Sequence, residues 1–319
     1  MNKPQKESRK RKRQILIEEV SDLIELCDSE NNTKDVKKLQ RIYNSLIKLD
    51  NMIGMNGVKK NIIYQILYFL QNLNKSGDML HTVITGPPGV GKTEISKIIA
   101  EIYSELGVLE IGQVVFAKRS DLIGEYLGQT AIKTQEVLES ARGGVLVIDE
   151  CYSLGHPDKR DSYSKECIDT LNQFLTEEKE HFACIICGYK DALEKNFFNQ
   201  NPGLQRRFPW RYDIKEYNDF ELLRIFNKQV LDQKWKLGKN AINANFFKEN
   251  KELFPNFGGS TEIFLTKCKM AHSKRIFEIS SGKKNKKTLT LLDIKNGLDL
   301  YKTSINITED YKAPQGMYT

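Results

Sequence analysis

Apolar residues three and four positions apart mark the beginning of the chain. In ILIEEVSDLIELC, and again in VKKLQRIYNSLIKL where Val36, Leu39, Tyr43 and Leu46 share a face, this spacing predicts two helices joined by the polar DSENNTKD. From Met52 the texture changes to short apolar runs alternating with amphipathic stretches. Leu80–Thr85, Val114–Lys118, Val145–Asp149, Cys184–Cys187 and Arg211–Ile214 read as strands. Strands separated by helices form a parallel sheet with helices on both faces, so the fold class is α/β. Beyond Tyr217 the runs DFELLRIFNKQVL, NANFFKENKELF and STEIFLTKCKMAHSKRIFEI keep helical spacing, which predicts a small all-helical domain after the sheet.

The expected division is a basic, disordered tail over residues 1–13, leading helices over 14–51, a large α/β domain over 52–215, the small helical domain over 216–305 and a C-terminal tail over 306–319. Charge sharpens the first boundary. Of the formal +7, MNKPQKESRKRKR supplies +6 through seven Lys/Arg against Glu7, leaving +1 for the rest. The body as a whole is therefore no basic platform for nucleic acid. The run at residues 9–13 reads either as a solvated terminus or as a nuclear-localisation or nucleic-acid patch, and GKKNKK reads as a surface loop.

The longest apolar stretch, NIIYQILYFLQNL, is broken by Gln65 and Gln71 and is shorter than the roughly 20 residues of a membrane span. The charged amino terminus has no secretory signal, and six scattered cysteines form no framework. An intracellular, reducing location, cytoplasmic or nuclear, is expected. Cys184 and Cys187 form a CxxC, but within a strand residues three apart point to opposite faces, so both read as core.

The chemistry starts at GPPGVGKT, between the strand-like MLHTVIT and the helix-like EISKIIAEIYSEL. A glycine-rich turn in that setting is a phosphate cradle. Gly86, Pro87, Pro88, Gly89, Val90, Gly91, Lys92, Thr93 and Glu94 form the expected nucleotide-binding segment. Glycines let successive amides turn inward, Lys92 reaches the β and γ phosphates, and the Thr93 hydroxyl ligates Mg²⁺. GGVLVIDE supplies the second part: at the end of a buried strand Asp149 faces Mg²⁺ and Glu150 faces the attacking water. Paired carboxylates there point to water as acceptor, and hence to an ATPase with ATP and Mg²⁺ as cofactors.

GPPGVGKT, DLIGEYLGQTAIKTQEVLESARGGVLVIDECYSL and CIICGYKDALEKNFFNQNPGLQRRFPWRYDIKEYNDFELLRIF resemble the AAA+ ATPases of the group containing red-type Rubisco activase, stage V sporulation protein K and the type VII secretion ATPases. The resemblance spans about Met52 to Tyr301. It implies a hexameric ring with ATP between subunits, and a P-loop domain followed by a helical lid. It implies that Arg207, in NPGLQRRF, reaches a neighbour's γ-phosphate, with Arg206 in reserve. Tyr189 takes the sensor-one place at the end of the fourth strand. Tyr126, Leu127 and Gly128 take the place of a loop that grips polypeptide in the pore. At sensor two the group carries an arginine in GNAR, whereas GGST puts Thr261 there; either Lys267 or a neighbour replaces that charge, or coupling between nucleotide and lid is weakened.

The expectation is an ATP-dependent ring motor that remodels or threads a protein partner. The alternative is a nucleic-acid-directed switch, of helicase-loader or clamp-loader type, using the basic tail. A third is a nucleotide-gated scaffold with little turnover.

Overall fold

The structure is a computed structural model. It describes residues 16–29, 33–74, 78–126, 128–156, 161–278 and 287–310, without side chains from 306 onward. The basic run at 9–13, Leu127 and nearly all of GKKNKK lie outside the described residues.

Helices α1 (Val20–Asp28), α2 (Lys34–Arg41), α3 (Tyr43–Asp50) and α4 (Asn56–Leu70) lead. The second expected helix is interrupted at Ile42, whose N–H bonds Leu39 O at 3.1 Å, a tightened turn separating α2 from α3. The sheet follows: β1 (Thr82–Thr85), α5 (Lys92–Glu105), β2 (Val114–Ala117), α6 (Arg119–Leu122), α7 (Thr130–Ser140), β3 (Val145–Ile148), α8 (Ser162–Glu177) and β4 (Ala183–Gly188). Two short helices, α9 (Lys190–Ala192) and α10 (Leu204–Arg207), lead to β5 (Trp210–Asp213). The five strands are all parallel in the order β2-β3-β4-β1-β5.

Alternation along each strand sorts the core into two layers. Ile84, Val145, Val147, Ile185 and Cys187 join α4, α5 and the leading helices on one face. Val83, Leu146, Ile148, Cys184 and Ile186 join α7 and α8 on the other. Cys184 and Cys187 thus fall on opposite faces, as strand geometry requires.

The leading helices are integral to this core. Leu23, Ile42, Leu46 and Leu49 are fully buried with the apolar face of α5. Polar contacts fasten the same interface: Ser45 Oγ bonds Glu105 at 2.9 Å, and Lys48 Nζ pairs with Glu101 at 2.7 Å. A buried polar chain closes the other end of α4. Tyr212 OH donates to Gln65 Oε1 at 2.6 Å, Gln65 Nε2 to Tyr103 OH at 2.5 Å, and Tyr103 OH lies 2.9 Å from Thr82 Oγ1. Each polar group has its partner, so the chain fixes α4, α5, β1 and β5 without an orphaned donor.

The last part is helical: α11 (Asp219–Asp232), α12 (Ala244–Glu249), α13 (Phe257–Glu278) and α14 (Leu291–Asp310). The reading missed one addition, a short parallel ladder of β6 (Lys236–Leu237) with β7 (Thr288–Leu289), since two-residue strands leave no periodicity. Helix α14 continues five residues into the stretch assigned to the C-terminal tail, because no proline or glycine falls between Leu298 and Ala313 to stop it. Between α13 and α14, Asp293 is buried against Arg275 (Nε–Oδ1 2.7 Å), His272 (Nδ1–Oδ2 3.1 Å) and Thr290 N–H (2.8 Å). Burial opposes that charge, but these partners hold the carboxyl well below the usual range. No helix among the described residues is long and apolar enough to cross a membrane.

Candidate nucleotide site

Strand order decides where the chemistry meets. The chain leaves β1 for the far edge of the sheet and returns through β3 and β4, so the end of β4 lies between the ends of β1 and β3. Ligands in such sheets bind at the carboxyl ends of strands where the order reverses. There the P-loop after β1, the carboxylates after β3 and Tyr189 after β4 enclose a cavity of about 380 Å³.

Helix α5 starts at Lys92, capped by Gly91 at φ 88°, a conformation that favours glycine. Its first amides and its dipole face the cavity. Lys92 Nζ is held by Gly86 O at 3.1 Å and Pro87 O at 2.7 Å, and lies 4.5 Å from the centre of the Tyr189 ring. Burial pushes this ammonium down, while Asp149 and Glu150 oppose the shift. Thr93 Oγ1 donates to Asp149 Oδ2 at 2.6 Å. Asp149 Oδ1 accepts the Glu150 N–H at 3.0 Å. Glu150 adopts φ 51°, ψ 40°, a left-handed conformation costing an L residue about 1–2 kcal/mol, and it stands exposed at the cavity.

Pro88, Gly89, Gly91, Lys92, Thr93, Glu94, Asp149, Glu150 and Tyr189 all line this cavity. Gly86, Pro87 and Val90 support it from beneath: the first two give their carbonyls to Lys92, and Val90 O takes the Tyr217 hydroxyl at 2.8 Å. A hydroxyl beside a carboxylate is a hard-oxygen donor set that suits Mg²⁺. No group of three or more His, Cys, Asp or Glu among the described residues could hold a metal ion. Two protein oxygens fit an ion whose remaining ligands are phosphate and water.

The lid closes directly onto the P-loop. Gly258 N–H donates to Gly89 O at 3.1 Å, and a Cβ on Gly89 would lie 1.9 Å from Asn256 O. Thr261 does not face the cavity: it is fully buried, its hydroxyl on Gly258 O at 2.9 Å. Lys267 does not line the cavity either.

Two further expected sites lie elsewhere. Arg207 bonds within its own chain, Nε to Thr176 Oγ1 and Nη1 to Gly203 O, both at 2.7 Å. Arg206 is exposed, and its side chain makes no hydrogen bond or ion pair among the described residues. Tyr126 is 67% exposed, and Gly128, at φ 82°, has open space where a Cβ would be.

Sequence reading overlooked the loop before α4. Gly54 and Met55, at φ 67° and 58°, turn it so that the Met52 and Met55 methyls would each meet a Cβ on Gly91 at 3.3 Å. The signal was GMNG, a glycine pair flanking a helix start. Tyr152 and Tyr217 were also missed, because an aromatic residue beside a motif reads as core.

Residues 82–201 match the family described as the ATPase family associated with various cellular activities (AAA). The chain is similar to the cfxQ-like protein R730 of Acanthamoeba polyphaga mimivirus, at 43% identity over 288 residues that cover 87% of this chain and 71% of that one. It is similar to protein CbbX of Cereibacter sphaeroides at 35% identity, covering 67% of this chain and 70% of that one. Among solved structures, the FIGL-1 AAA domain in complex with ADP shares the fold at a TM-score of 0.59 and 17% identity, over 93% of this chain and 98% of that one. A P-loop and paired carboxylates meeting at the switch point of a five-stranded parallel sheet, together with this kinship, show that the chain is a nucleotide-binding ATPase of the AAA family, among its CfxQ and CbbX proteins.

Proposed function

We propose that this ATPase works as a hexameric ring that draws on ATP hydrolysis to remodel a protein partner held at a central pore. The observation that carries this reading is a division of labour. Lys92, Thr93, Asp149 and Glu150 share one cavity, while Tyr126 stands exposed on a separate loop.

In the cavity the P-loop amides and Lys92 hold the phosphates, and Glu150 takes the proton of the attacking water. Thr93 and Asp149 would hold Mg²⁺, which when bound offsets the negative charge of the phosphates. Tyr189 orients the γ-phosphate end. An arginine from the next subunit completes the site and offsets charge that develops in the transition state. Arg207 fills that role by its place in NPGLQRRF, but it must release two hydrogen bonds to do so, whereas Arg206 releases none. Thr261 brings no charge to the nucleotide, so the lid senses it through the backbone contact of Gly258 with Gly89. At the pore the Tyr126 ring offers a large apolar contact with little entropy to lose.

The test is a Glu150→Gln trap. In ATP this variant is expected to stay assembled and retain protein, and adding Tyr126→Ala should release the protein while leaving assembly intact. Retention of nucleic acid instead would overturn the protein-remodelling reading in favour of a nucleic-acid switch. Parent-rate hydrolysis by Glu150→Gln would remove Glu150 as the base. For the finger, Lys92→Ala subunits mixed with Arg207→Ala or with Arg206→Ala subunits should recover turnover only with the arginine that acts across the interface.

A further inference from the structure

We infer that Tyr152 is a positioning residue for Lys92, acting through the ring of Tyr189. The inference rests on the reading of Lys92 as the phosphate-binding lysine.

The geometry begins at Glu150. Its left-handed backbone starts a tight turn, Cys151–Leu154, in which Cys151 and Leu154 are fully buried and anchor the turn. Between these anchors the Tyr152 side chain emerges into the cavity. Its ring lies on Gly188: a Cβ there would meet Tyr152 Cδ1 at 2.9 Å, so a glycine at the end of β4 is what lets the ring settle. Tyr152 then stacks on Tyr189, with centroids 5.3 Å apart and planes 26° from parallel. The Tyr189 ring in turn carries the Lys92 ammonium at 4.5 Å. The stack therefore runs from the turn after the carboxylates, across the end of β4, to the P-loop lysine.

An ammonium that shares a cleft with Asp149 and Glu150 is drawn toward both. A lysine paired with Glu150 would neutralise the base and leave the phosphates without their cation. The Tyr189 face and the carbonyls of Gly86 and Pro87 offer Lys92 an uncharged seat, from which it reaches phosphate without quenching Glu150. Tyr189 is 37% exposed, and the Tyr152 ring behind it limits the orientations it can adopt.

The test measures dissociation constants for fluorescent ATP and ADP, with kcat and KM, in Tyr152→Leu, Tyr152→Phe, Tyr189→Ala and the Tyr152→Leu/Tyr189→Ala double variant. Leucine keeps bulk without a π face, and melting temperatures check that each variant is folded. Tyr152→Leu should weaken ATP binding relative to ADP by roughly 3- to 30-fold, the range of a lost cation–π contact. Tyr152→Phe should restore most of that preference, and the double variant should lose no more than Tyr189→Ala alone. Additive losses, or equal loss in Tyr152→Phe, would overturn the inference. If Lys92→Ala abolishes turnover while Tyr152→Leu matches the parent, only the role of Tyr152 fails. If Lys92→Ala itself matches the parent, the reading of the site fails with it.

Discussion

The nucleotide cavity at the sheet and the lid that packs on its P-loop are made of different material. In the cavity the contacts are made by polar and charged side chains at the start of α5 and after β3: Lys92 on two carbonyls, Thr93 on Asp149, Glu150 beside them. The lid touches the P-loop through uncharged groups, Gly258 N–H on Gly89 O and the Tyr217 hydroxyl on Val90 O, and Thr261 is buried with its hydroxyl on its own helix. The two regions also differ in charge. Residues 14–215 carry 24 Lys/Arg against 29 Asp/Glu, and residues 216–305 carry 17 against 10. Reaction chemistry constrains side chains, whereas closure constrains only shape, so the two sides tolerate change differently.

The largest effect expected on the sheet side is on turnover. Glu150→Gln should keep ATP affinity while hydrolysis falls by ~10²–10⁴, the scale of a general base. Lys92→Ala should lose binding and turnover together. Steady-state kinetics beside nucleotide binding separates the two outcomes, and a Glu150→Gln variant that lost affinity first would place Glu150 in binding.

Acid should then divide the regions. His81 is buried beneath the sheet, its Nδ1 accepting Cys184 N–H at 3.1 Å and its Nε2 on Leu175 O at 3.0 Å, which fixes a neutral ring. Burial lowers its pKa to about 4. A histidine depressed from its ordinary ~6.5 contributes stability that is fully present above that value and is lost as pH falls toward 4. The loss amounts to ~3 kcal/mol. Asp293 in the lid, held below the carboxylate range, keeps its charge through the same window. Urea midpoints at pH 7 and pH 5 should therefore fall with acid, and His81→Gln should flatten the slope. An unchanged slope in that variant would assign the acid sensitivity elsewhere.

The same contrast explains what the sequence made legible. The five strands, the covered sheet and the cluster from Lys92 to Glu150 follow from apolar periodicity and from residue types that phosphate chemistry demands at fixed places. The left-handed Glu150 did not, because a glutamate carries no mark of the φ imposed on it by the buried Cys151 and Leu154 beside it. Nor did the hydrogen bonds that tie Arg207 inward, since either arginine of NPGLQRRF is an equal donor until Thr176 and Gly203 are placed. The docking of α1–α3 onto α5 was hidden for a further reason: an amphipathic helix shows that a face is buried, but not against what.

On the boundary between the sides, Gly89→Ala is expected to act at both. At φ 70° an L residue is strained by about 1–2 kcal/mol, and its Cβ would strike Asn256 O, forcing the lid away from the P-loop. A lower melting temperature should accompany weaker nucleotide binding. If stability falls while binding is unchanged, the Gly258–Gly89 contact holds the two regions together without serving the nucleotide.

The smallest effect should come from Thr261, which the resemblance places where the group carries an arginine. Thr261 is fully buried and spends its hydroxyl on Gly258 O, so Thr261→Val conserves shape and removes one hydrogen bond, typically about 1 kcal/mol. Nucleotide affinity and turnover should stay near the parent values, because nothing at position 261 reaches the cavity. Thr261→Arg is the sharper version. An unpaired guanidinium forced into that packed position should lower the melting temperature more than valine does, without raising turnover. The pair of variants, compared by melting temperature and kcat, separates two accounts of the lid. If Thr261→Arg folds stably and raises turnover, the helix can present this position to the nucleotide, and the lid would then bring a charged side chain to the cavity as the sheet does.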